Sequence, residues 1–71
     1  VSQSVRSFRK TLDSVAADNE SAAIEMMRAV DQVGDQVLRQ RLLNVVHRLN
    51  RDAEKLRAIR DDMPGNVQLR A

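Results

Sequence analysis

Seventy-one residues with twelve Lys or Arg against ten Asp or Glu make one small domain of net charge +2, too weakly basic for charge alone to announce a nucleic-acid binder. A chain this short buries only about 60% of its unfolded surface, and without cysteine it has no disulfides or thiolate metal sites to compensate. A hydrophobic content of 42% argues against disorder, yet Phe8 is the single aromatic residue, and two Gly with one Pro are too few turn-formers for an all-β fold.

Extra stability is therefore expected from a partner, either another protein or a second copy in a homodimer. No apolar run approaches the roughly 18 residues of a membrane span, so a soluble chain is expected. The absence of cysteine favours a reducing cytoplasm. The start at Val1 without Met, and the loose Gly65 to Ala71 end, also suit a secreted effector or a piece cut from a longer protein.

From the N-terminus, apolar residues fall at Val1, Val5, Phe8, Leu12, Val15, Ala16, Ala22, Ala23, Met26, Val30, Val33 and Val37. Steps of three and four, at about 100° per residue, place all of them on one broad helical stripe. The phase predicts an unbroken helix from Ser4 to Gln32, capped by Ser2 or Ser4. Asn19 sits within the stripe, where a polar residue fixes register at some cost in stability. The alternative is a three-helix bundle with a break at Asp18-Asn19-Glu20-Ser21.

A second stripe, Leu38, Leu42, Val45, Val46, Leu49, Ala53, Leu56, Ile59 and Met63, points about 100° away from the first, a shift no straight helix absorbs. Gly34 lies where the shift occurs. A glycine there suits the left-handed residue that ends a helix, and Asp35 suits the cap of the next. Pro64-Gly65 should stop the second helix near Asp62 or Met63. The expected fold is all-α: an antiparallel, coiled-coil-like hairpin turning at Gly34, with a domain over 1–63 and a tail or linker over 64–71.

Charge supports two helices over three. Residues 1–10 are purely basic, 11–38 mostly acidic and 39–60 mostly basic. A fold-back at Gly34 sets Arg9 near Asp61, Asp13 near Arg57, Ile24 near Val46, Asp31 near Arg39 and Asp18 near Arg51. A third helix would bring Arg6, Arg9 and Lys10 beside Arg39 and Arg41, like against like. The hairpin also brings cations at one helix start to Asp61 and Asp62 at the other helix end, both of which oppose the helix dipoles alone.

Two surfaces are expected to remain for a partner. Ile24, Met27, Leu43 and Val46 read as apolar shoulders beside the turn, able to dock a partner or complete a four-helix bundle. Arg41, Arg48, Arg51 and Lys55 line one flank of the second helix and suit an acidic protein surface. Nucleic acid is disfavoured because no aromatic stacking residue accompanies them.

Catalytic and cofactor chemistry has little to build on. His47 is the single histidine and cannot hold a metal alone, a phosphate-cradling glycine loop is missing, and Asp61-Asp62 are adjacent residues that do not face each other on a helix. The expected function is a non-enzymatic protein-interaction or oligomerisation module without cofactor. The alternative is a small nucleic-acid-binding regulator using the basic stripe.

Overall fold

A computed structural model describes residues 3 to 63. Two helices, α1 (Gln3–Val30) and α2 (Gln36–Asp61), pack along their lengths and run antiparallel, and no strand occurs among the described residues. The result is a rod of 54 × 15 × 14 Å. Its radius of gyration, 16.3 Å, exceeds the roughly 11 Å of a compact domain of this length. Each helix therefore has one neighbour and buries one stripe.

α1 passes through Asn19 without interruption, so the three-helix alternative is not the one adopted. The continuous apolar phase explains this, since a turn at residue 19 would have reset the face. Within α1 the Thr11 hydroxyl donates to the Ser7 carbonyl at 3.1 Å, which satisfies it inside the helix. The helix begins at Gln3, placing Ser4 inside the first turn; Val1 and Ser2, the other expected cap, lie outside the described residues. It ends at Val30, two residues before the expected Gln32, as Gln32 N–H turns to the Ala29 carbonyl and Val33 N–H to the Val30 carbonyl. Such three-residue bonds tighten a final turn.

The reversal lies over residues 31–35. Asp35 caps α2 as expected, its extended backbone letting the carboxylate accept from Leu38 N–H at 3.0 Å. Gly34 corrects the sequence reading. Its φ is not positive, and a Cβ built on it meets nothing within 4 Å. The 3₁₀-type bonds already end α1, so no left-handed glycine is needed. α2 ends at Asp61 with Asp62 as its C-cap, near the expected place; Pro64, Gly65 and the rest of 64–71 lie outside the described residues.

Burial follows a stricter rhythm than the apolar stripes. On α1 the half-buried or buried positions include Val5, Arg9, Leu12, Ala16, Asn19, Ala23, Met26 and Val30; on α2 they include Arg39, Leu42, Val46, Leu49, Ala53, Leu56 and Arg60. Steps alternate between three and four, giving a seven-residue repeat along one narrow seam. Buried are Leu12, Ala16, Ala23, Val30, Val46 and Ala53, half of them alanine, so the core is thin.

Two predictions follow from the reversal. Gly34→Ala should raise stability by about 0.4–1 kcal/mol by restricting the unfolded chain, whereas Asp35→Ala should lower it by about 1 kcal/mol. Urea unfolding followed by far-UV circular dichroism reads both, and a destabilised Gly34→Ala chain would restore the left-handed turn.

Candidate interaction surface

The seam divides the hairpin into two long flanks with different chemistry. On one, Arg57 holds Glu20 in a two-pronged contact, Nη1 donating to Oε2 at 2.6 Å and Nη2 to Oε1 at 2.9 Å. Beside it Arg60 joins Asp13 across the helices, while its Nε donates to Asp61 at 3.0 Å. These contacts fix register. Asp13 meets Arg60 rather than the expected Arg57, and Arg57 reaches Glu20, so α2 sits one to two turns from where a fold-back centred on Gly34 would place it. The extra length lies in residues 31–35, which extend the rod before the chain reverses.

The expected contact of Arg9 with Asp61 is also replaced. Arg60 supplies the cation to Asp61, and Arg9 turns into the seam with its Nε enclosed and lacking a hydrogen-bond partner. The hydrogen bond from Arg57 holds the Glu20 carboxyl below its ordinary value, and the Asp13 and Asp61 contacts raise the Arg60 guanidinium. Arg57 still feels the charge of Asp13, so the attraction read from the sequence acts over a longer distance.

Ile24, Met27 and Leu43 belong to this ion-paired side by helical phase; Ile24 and Met27 are exposed and Leu43 is half-buried. Val46 does not join them. It is only 5% exposed and belongs to the seam, because it is one seven-residue step from Arg39 and from Ala53. The four residues expected to form one patch therefore divide between a shoulder and the core.

The opposite flank carries the larger apolar surface, which the sequence reading assigned to the core. Phe8, Val15, Ala22 and Ala29 recur every seven residues along α1, as do Leu38, Val45 and Ile59 with Asp52 along α2. Phe8, Val15, Leu38 and Ile59 are 53%, 42%, 46% and 52% exposed. One neighbouring helix covers only the seam positions, and residues one step to the side stay open to water. The signal was present in the spacing: Phe8 and Val15 precede the seam residues Arg9 and Ala16 by one position each.

Each edge of this apolar flank has its own charge. Asp18 and Glu25 follow its α1 edge, and Arg41, Arg48 and Lys55 its α2 edge; all five are exposed. Arg51 lies one step further round, facing away from the seam, and is also exposed. Asp18 was expected to approach Arg51, but neither forms an ion pair among the described residues.

Elsewhere, a shallow depression at the start of α2 is lined by Asp35, Val37, Leu38 and Arg41. His47 is exposed, and among the described residues no three His, Asp or Glu side chains converge as metal ligands. No helix among them is long and apolar enough to cross a membrane. Neither protein-family models, nor curated proteins, nor solved structures contain a match to this chain.

Glu20 supplies a pH prediction. Its folded pKa lies below the ordinary value near 4.5, so the stability from Arg57 is complete above that value and is lost as pH falls through the lowered one. Thermal melts from about pH 7 to about pH 3 should therefore show an acid-side loss that Glu20→Gln reduces. Identical acid limbs in the two chains would remove the pair from the account.

Proposed function

We propose that this chain is a non-enzymatic protein-interaction module that works by docking helices against its apolar flank. The observation that carries the reading is the row Phe8, Val15, Leu38 and Ile59, left open along a rod whose own core is half alanine. A row of this kind is completed by another helical surface, as in bundles. The basic edge of Arg41, Arg48 and Lys55, with Arg51 behind it, orients an acidic protein surface. Ile24, Met27 and Leu43 offer a smaller contact on the other side.

The same reading treats the seam as coiled-coil packing, with residues spaced by sevens as the interlocking positions and the segment containing Gly34 as its reversal. Asn19 is then the polar register-setter. The narrow rod presents its side chains along extended faces, a form suited to binding another elongated surface. A nucleic-acid role would use the basic edge without any base-stacking residue beside it.

Photo-crosslinking in the source cells tests the reading by face. A photoreactive residue replacing Phe8 or Ile59 should give discrete protein adducts, whereas one replacing Ser21, on the side away from the apolar flank, should give none. Nucleic-acid adducts, or equal adducts from both faces, would contradict the proposal.

A further inference from the structure

We propose that the apolar flank is closed by a second copy of this chain, packed face to face about a two-fold axis parallel to the helices, with both turns at the same end. The inference rests on the docking role above and names its partner. Charge makes the partner specific. The flank is apolar in the middle, acidic along α1 at Asp18 and Glu25, and basic along α2 at Arg41, Arg48 and Lys55. A surface with opposite charges on its two edges complements its own rotated image.

Register decides whether the charges meet. The Asp13–Arg60 contact marks one level of the rod, and each step up α1 is matched by a step back along α2. Counted from that contact, Asp18 is level with Lys55 and Glu25 with Arg48; counted from the two-pronged Glu20–Arg57 contact the partners lie about one turn away, a distance that long Lys and Arg side chains span. Within one hairpin these residues stand on opposite edges of the flank and make no ion pair among the described residues.

A two-fold axis along the rod sets α1 of each copy beside α2 of the other, without changing their levels. Asp18 then faces Lys55 of the other copy and Glu25 faces its Arg48. A two-fold axis across the rod instead sets α1 beside α1, acid against acid, and α2 beside α2, base against base. Charge therefore selects the first arrangement and opposes the second. Four acid–base meetings result, around a core built from Phe8, Val15, Leu38 and Ile59 of both copies.

Asp52 is the one charge within the apolar row, and it is exposed. On α2 it lies four residues after Arg48 and three before Lys55, so both cations share its side of the helix. In the dimer it is a weak point by construction. Replacing it with Leu should tighten association, which would not be expected of a free face.

Analytical ultracentrifugation of the purified chain should give twice the chain mass. Asp18→Lys with Glu25→Lys, or Arg48→Glu with Lys55→Glu, should each weaken the dimer at least about tenfold, as attraction becomes repulsion. All four substitutions in one chain should restore it; across a cross-rod axis each reversal only exchanges one like-charge meeting for another, so neither the loss nor the rescue would be seen. Spin labels on Gly34→Cys should lie close together in the dimer, rather than near the 54 Å length of the rod apart. Circular dichroism checks that each variant stays helical, and Asp52→Leu should tighten association without touching the rims. A monomer at every concentration overturns the second-copy inference while leaving the docking role to its own crosslinking test. A dimer indifferent to the rim reversals, unrescued by the fourfold change, or with distant turn labels overturns the arrangement.

Discussion

The contact between α1 and α2 is a single line, and most of the molecule's character follows from that narrowness. Two helices touching along one line enclose only the residues aimed straight at each other. Here those positions recur by sevens, and half of the buried ones are alanine. Small residues let the helix backbones approach closely but remove little apolar surface from water. A chain so arranged keeps part of its hydrophobic surface outside, which is why an enclosed seam and an open apolar row lie on adjacent positions of the same helices.

Polar groups refine this seam rather than build it. Arg9, Arg39 and Arg60 occupy half-buried seam positions toward its two ends. Arg60 has acids on both helices, whereas Arg9 has its Nε enclosed without a partner. Exposed ion pairs are screened by water and contribute little net stability, so Arg57–Glu20 and Arg60–Asp13 select the register while packing supplies most of the stability. Asn19, half-buried at mid-seam, adds a polar preference at the level where α2 offers the enclosed Ala53.

Much of this architecture was legible in the residues. The unbroken phase from Val5 to Val30, the phase change around Gly34, and the cap at Asp35 are local properties, and they give two helices with a reversal between them. Stripe width was not local. Phe8 and Leu12 both fit an apolar face, and only the partner helix determines that one is enclosed and the other wet. Reading them together hid the apolar flank and moved Val46 outward. Register was obscured for a related reason: long arginine side chains one turn apart can serve the same acid, so Asp13 fits Arg57 and Arg60 almost equally by sequence. The basic edge was legible because Arg41, Arg48 and Lys55 repeat by sevens, but the acidic edge opposite it gained meaning only once the helices were placed side by side.

Distances between spin labels on the outward faces would test the single antiparallel seam most directly, since the cysteine-free chain can be labelled at chosen pairs and diluted with unlabelled chain to remove contacts between copies. Labels at Ser14 and Ala58 lie at nearly the same level of the rod, whereas labels at Ser14 and Asn44 are offset by fourteen residues along α2, roughly 21 Å. The account predicts one narrow, short distance for the first pair and a clearly longer one for the second. Equal distances, or a shorter one between Ser14 and Asn44, would contradict it.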